Sequence, residues 1–368
     1  MTTDARRYDL DALRVGAFLL LILYHLGMFY VPWGWHVKST HVVPALDAPM
    51  GLLNPWRLTL LFVISGTASR FMLGKLAPGT FAAQRSWRLL VPLLFGMLVI
   101  VPPQSWAEVV EKAAYTGGYL AFWGRYLSFD QSFGIILPTY NHLWFVAYLW
   151  LYTLLAALLA PVLPVFDRAL GRGLAGPAVF VAPVAVFGAL RAFVFPVWGE
   201  THIIWADPYN HLHYGAAFLI GMLLARQDEA WDRMARARHV SLIATAAIAL
   251  VGVPLSGVME DQPDWRGVAF AVVREVYAWG VIVTLFGYAR RHIRQGSPLL
   301  TTLTEAVFPF YIVHQTVIVL AGHFLKPTGL PLWMEAGTIL TMTVVTCVGA
   351  YGLARAAPML RPLFGMKS

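Results

Sequence analysis

Ten apolar stretches, each close to the ~20 residues that carry a helix across a bilayer core, run the length of this chain. They cover residues 13–31, 51–73, 87–103, 142–164, 176–196, 209–225, 240–258, 267–289, 298–323 and 333–356. In hydrocarbon, backbone N–H and C=O groups must find partners within their own segment, so such stretches fold as helices. The fold expected is an all-α polytopic membrane protein of about ten transmembrane helices. Composition agrees: 58% of the residues are hydrophobic and only 12% charged, about half the charge of a soluble domain. Too little polar surface remains to face water all round. Residues 1–368 read as a single transmembrane domain with no separate soluble domain. The first stretch is longer than a signal-peptide core. No small-x-small cleavage site follows it in Pro32-Trp33-Gly34-Trp35, so it is expected to be retained.

Counting basic residues on alternate sides of the ten stretches sets an orientation. Of the 27 Lys and Arg, 19 fall on one side, including Arg6, Arg7, Arg14, Arg70, Arg85, Arg88, Arg290, Arg291 and Arg294. The basic side is cytoplasmic, and an even number of spans puts both termini there. The net charge of +8 belongs to this bias and not to nucleic-acid binding. Cys347 is the only cysteine, which excludes an intrachain disulfide and any multi-cysteine metal site. No metal is expected, because His-x-Glu-x-x-His is absent and His211-x-His213 lacks an evident third ligand. Neither a P-loop nor a dinucleotide fingerprint is present.

Ionisable groups inside spans cost about 2.5–3.5 kcal/mol each on insertion scales, so each is a candidate for function. Arg14 and His25 lie eleven residues apart on the first helix. That is three turns, hence one face, and about 16 Å of axis. Asp11 is spaced to pair with Arg14. His25 reads either as a general base, titrating near working pH, or as a histidine bonded between helices. Arg85 and Arg88, at i and i+3, read as a phosphate-binding pair or as plain anchors. Ser65-Gly66 reads as close helix packing; no G-x-S-x-G elbow surrounds the serine. His142 opens the fourth span, and His314 lies deep in the ninth behind Pro309. Trp35-His36, just past the first span, reads as interfacial belt or as the rim of an outward-facing pocket. Arg274-Glu275 reads as an ion pair. Gln104 to Asn141 reads as the one long polar loop.

Taken in order, these landmarks resemble the acyltransferase-3 family of membrane-bound acyltransferases. Tyr8-Asp9-Leu10-Asp11-Ala12-Leu13-Arg14 is similar to its first-helix signature, and Arg14 with His25 matches its R-x10-H motif. Phe62-Val63-Ile64-Ser65-Gly66, Arg85-Ser86-Trp87-Arg88, His142-Leu143-Trp144-Phe145 and Tyr311-Ile312-Val313-His314 resemble its later motifs. Trp35-His36-Val37 resembles the glucan biosynthesis protein C group, whose members are associated with succinylation of osmoregulated periplasmic glucans. Two positions depart from the pattern: Ala12 stands where many members have Gly, and Thr67 where an aromatic is common.

The resemblance implies a multi-pass protein of the bacterial inner membrane that moves an acyl group, succinyl or acetyl, from cytoplasmic acyl-CoA to a hydroxyl of a periplasmic glucan or other envelope glycan. It implies catalytic roles for His25 and Arg14. Donor or substrate binding falls to Arg85, Arg88, Ser65, His142, His314, Trp35 and His36. Acyl-CoA is then a substrate, no cofactor is permanently bound, and the other partners are membrane lipids and the glycan. The rival from another class is an exporter of a sugar or lipid-linked intermediate. Exporters often carry paired repeats with matching broken helices, and no such pairing is evident here.

Overall fold

The computed structural model describes residues 6–259, 262 and 264–367, and all regular structure among them is helical. The principal helices are α1 (Tyr8–Tyr30), α2 (Asp47–Leu73), α3 (Pro78–Phe95), α4 (Val101–Lys112), α5 (Tyr119–Leu127) and α6 (Trp144–Leu158). They continue with α7 (Ala178–Ala189), α8 (Pro208–Leu224), α9 (Asp228–Met259), α10 (Trp265–His292), α11 (Pro298–Leu325) and α12 (Leu332–Ala356).

Eight segments among the described residues are long and apolar enough to cross a bilayer: α1, Pro78–Lys112, Asn141–Leu158, Ala178–Trp198, Asp228–Ser256, α10, Pro298–Thr328 and α12. The two other expected stretches, 51–73 and 209–225, are helical too, as α2 and α8. The first half of α2 carries Asp47, Asn54 and Arg57, and α8 has only 17 residues, so neither combines full length with full apolarity. Several spans turn large side chains outward. In α9 only 6% of the apolar window is buried, and Val240, Ile243, Leu250 and Val251 stand exposed. Apolar faces of that extent need lipid rather than water. The chain is a multi-pass membrane protein.

The chain divides into two compact units. One comprises Met1–Ala17, Gly51–Ala83 and Leu151–Thr304; the other comprises Phe18–Met50, Gln84–Trp150 and Glu305–Ser368.

In the first unit, glycines set how closely helices approach. A Cβ on Gly66 of α2 would sit 1.9 Å from the Phe218 carbonyl oxygen of α8, and one on Gly221 of α8 would sit 2.0 Å from that of Val63. Backbone thus lies directly on backbone, as small residues allow between membrane helices. Gly287 brings α10 against the Met234 carbonyl of α9 in the same way. Arg70 pairs with Asp167, and Arg274 with the buried Glu275 at 2.5 Å. His211 and His213 turn to different partners, the Ile204 carbonyl and Thr59 Oγ1.

In the second unit the segment Gln104 to Asn141 differs from the expected loop. The third span continues through Gly96–Ile100, wound as a π-helix, into α4, and α5 follows. Pro102 and Pro103 lie inside this continuous helix and have no N–H to give the preceding turn, so carbonyls there turn to other donors. A π segment shifts the ladder by one residue and diverts carbonyls to side chains. The Met97 carbonyl accepts from Tyr126 Oη at 2.8 Å, Leu98 from Trp123 Nε1 at 3.0 Å, and Ile100 from Thr316 Oγ1 at 2.8 Å. An apolar cluster of Ile22, Phe29, Val37, Ala107, Ile318 and Ile339 holds α1, α4, α11 and α12 together.

Candidate active site

The stretch after α1 folds back on its own helix. Ser39 N donates to the Phe29 carbonyl at 3.0 Å and Val43 N to that of Tyr30 at 2.9 Å. Lys38 Nζ caps the helix end by donating to the carbonyls of Met28, at 2.6 Å, and Val31. A cation there suits the helix dipole, and burial lowers the Lys38 pKa. This return carries Trp35 and His36 over the last turns of α1. The Trp35 ring stacks on His25 with centroids 6.4 Å apart.

His25 lies five residues, about 8 Å, before α1 ends. Its Nδ1 is 2.7 Å from Nε2 of His314, and the two rings lie edge to edge and nearly coplanar, with centroids 5.0 Å apart and planes 10° apart. Local geometry assigns the protons. His314 Nδ1 faces only carbonyl acceptors, Tyr311 at 2.8 Å and Phe310 at 3.2 Å, so it carries the hydrogen. Its Nε2 is then an acceptor, and His25 donates to it from Nδ1. The His25 lone pair is thereby set on Nε2. This is a tautomer inferred from the network, and it is the arrangement by which a neighbour orients a histidine base. His314 is fully buried, while His25 keeps accessible surface.

His142 packs edge-on to His314, with centroids 5.2 Å apart. Its Nε2 donates to the Tyr311 and Ile312 carbonyls, each at 3.1 Å, and Tyr311 Oη donates back to the His142 carbonyl. Its Nδ1 is therefore an acceptor, buried and without a partner among the described residues. Beside His314, Gln315 Nε2 donates to Gln104 Oε1 at 2.9 Å, and Gln104 Nε2 to Thr316 Oγ1 at 3.1 Å.

A second polar group lies on α4 and the return after α1. His36 Nδ1 donates to Glu108 Oε2 at 2.5 Å, and Lys112 Nζ to Glu108 Oε1 at 2.7 Å. The Lys112 side chain is 52% exposed, so this group of side chains reaches solvent. One turn away Glu111 receives His323 at 2.9 Å and Lys326 at 3.0 Å. Such an array can hold a polar, hydroxyl-rich acceptor and take a proton from it at His25 Nε2.

Of the residues singled out in the sequence, the structure brings together His25, His314, His142, Trp35 and His36. Arg85 and Arg88 lie on α3 of the same unit, both partly buried. Arg88 Nη2 faces the Gly365 carbonyl at 3.4 Å. Gly96 marks the level of His142 along that span, since a Cβ there would meet Leu143 at 2.2 Å. Arg88 and Arg85 precede it by about 12 and 16 Å of helix, so they form no part of the imidazole cluster. Arg14 and Ser65 belong to the first unit. Arg14 donates to Asp11 at 3.1 Å, as its spacing foretold. Ser65 is partly buried beside the Gly66 packing contact. The sequence reading missed Glu108, Gln104, Gln315 and Thr316. Glu108 carried a signal: Glu and Lys at i and i+4 mark a helix, not a loop.

The matching family model, described as an acyltransferase domain, covers residues 7–355. The chain belongs to the acyltransferase-3 family. Among curated relatives it is 22% identical to the glucans biosynthesis protein C of Escherichia coli O6:K15:H31 (strain 536 / UPEC), over 98% of this chain and 95% of that protein. Shigella dysenteriae serotype 1 (strain Sd197) carries a protein of that name at 22% identity, and Salmonella schwarzengrund (strain CVM19633) one at 21%, with the same coverage. No solved structure matches. Family membership supplies the reaction class, acyl transfer, into which the imidazole cluster has to fit.

Proposed function

We propose that this acyltransferase moves an acyl group, succinyl or acetyl, from acyl-CoA to a hydroxyl of a periplasmic glucan, in one step and with His25 as general base. The observation that carries the reading is the His25–His314 bond, which leaves the His25 lone pair on Nε2. The acceptor hydroxyl attacks the thioester carbonyl as Nε2 takes its proton. Collapse of the tetrahedral intermediate breaks the C–S bond, and the imidazolium returns the proton to the leaving thiolate, giving ester and free CoA. General acid–base catalysis of this kind is worth about 10²–10⁴ in rate.

The name of the relatives supports a glucan as acceptor, and the side chains of His36, Glu108 and Lys112 offer that acceptor hydrogen-bonding groups. The remaining roles follow the order of the chain. Arg85 and Arg88 bind donor phosphates about a dozen ångströms or more along α3, a distance that the extended pantetheine arm bridges. The orphan Nδ1 of His142 accepts from a substrate hydroxyl. A catalytic role for Arg14 and a substrate-binding role for Ser65 rest on the family resemblance alone. The charge bias supports an inner-membrane protein of ten spans, counting α2 and α8, with both termini in the cytoplasm.

Purified protein, given labelled succinyl-CoA or acetyl-CoA and a linear glucan, is expected to form the glucan ester. His25→Ala is expected to cut the rate by about 10²–10⁴ without changing expression or thermal unfolding. A His25→Ala enzyme with parental turnover would remove the histidine from the chemistry. Absence of transfer by the parent protein from either donor would remove the reading.

A further inference from the structure

The first unit contains a cavity that the acyl-transfer chemistry does not use. It has a volume of about 690 Å³ and lies where the chain before α1, the start of α9 and the end of α10 meet. That size fits a small-molecule site. Seven arginines and two aspartates line it. Both aspartates are already paired: Asp9 takes Arg7 at 2.7 Å, and Asp232 takes Arg290 at 3.4 Å. Arg236, Arg291 and Arg294 are exposed and have no ion pair among the described residues.

Two features separate this cluster from the scattered basic residues that merely orient a membrane protein. The first is convergence: the arginines of three separate segments line one concavity. The close approach of α9 and α10 at Gly287 helps to force this. The second is preorganisation. The Arg7 guanidinium stacks on Trp231 at 4.4 Å from the ring centroid. Arg238 is tied to the Ala235 carbonyl at 2.6 Å and lies over Tyr288, with its Nε buried and unpartnered among the described residues. Planar forks on a positive charge that the two aspartates do not offset match clustered phosphate oxygens.

We propose that this cavity binds a ligand carrying two or more phosphates. Two sources supply that chemistry on the side where the charge bias places the cavity. One is a soluble nucleoside bisphosphate, and the other is the paired phosphates of an anionic lipid headgroup, for which basic pockets beside membrane helices are suited. The proposal stands independently of acyl transfer.

Binding is to be measured on the full-length protein in detergent, with adenosine 3′,5′-bisphosphate against adenosine monophosphate, and with cardiolipin against phosphatidylcholine. One bisphosphate probe is expected to bind about tenfold or more tighter than its control, as charge-assisted bonds to several phosphates require. Added salt is expected to weaken it. A nucleotide result identifies the ligand as a soluble bisphosphate; a lipid result identifies it as a headgroup. The triple variant R236Q/R291Q/R294Q is expected to lose about tenfold or more in affinity, and His25→Ala to bind as the parent does. The variant R236K/R291K/R294K keeps the orienting charge and loses the forks, so it is expected to bind several-fold more weakly. The proposal is overturned if neither probe outbinds its control, or if the lysine triple binds with parental affinity.

Discussion

His314 shows what a single buried side chain contributes. It touches no solvent, and in the proposed mechanism its part is to accept the hydrogen bond from His25 Nδ1 so that Nε2 serves as the base. That makes it a positioning residue, and its variants separate it from a mere filler. His314→Ala is expected to lower kcat by about 10² with little change in the donor KM. His314→Gln, whose side-chain oxygen can accept the same proton, is expected to recover part of that loss. Equal kcat in the two variants would show that the acceptor does not matter. The orphan Nδ1 of His142 belongs to the same logic, because a buried acceptor with no partner costs about 1–3 kcal/mol, and a substrate hydroxyl would relieve it.

At the scale of elements, the contact between α2 and α8 is backbone on backbone. Gly66→Ala forces a methyl group into the Phe218 carbonyl, which has no rotamer by which to yield. It is expected to destabilise by about 1–3 kcal/mol, read as a lower melting temperature in detergent. Gly16→Ala on α1, where a Cβ meets nothing within 4 Å, is the matched control and should be neutral or slightly stabilising. Beyond α5, Asp130 accepts from Ser132 N at 2.8 Å and from Arg125 at 2.6 Å. These bonds, that of Ser132 first, pull its pKa from 3.8 down to about 2. A depressed carboxylate pKa adds stability above the unfolded value and loses it as pH falls through the folded one. Asp130→Asn should therefore melt below the parent at pH 7, with the gap closing between about pH 4 and pH 2. Because the group is exposed, the gap is expected to be small and to shrink with salt.

For the whole molecule, the proposed orientation is open to a direct test. With ten spans, a C-terminal fusion to green fluorescent protein fluoresces and one to alkaline phosphatase stays inactive. The reverse result would put the C-terminus outside and overturn the proposed orientation. The helices were legible in the sequence because lipid leaves a long apolar segment no alternative to the helix, and hydropathy reads that directly. The first-helix spacing of Arg14, Asp11 and His25 was legible as well, since it lies within one helix and the period fixes it. The third span was read too short, because a π segment, two prolines and a run of charges mask a helix whose polar groups are satisfied by distant side chains. What the residues by themselves determined is thus everything local: helical segments, charge bias, and which groups share a face. Tertiary structure alone decided that His25 meets His314, 289 residues away, that His36 meets Glu108, and that arginines of three segments close on one cavity. Contacts between helices depend on which faces pack, and hydropathy carries no record of a partner.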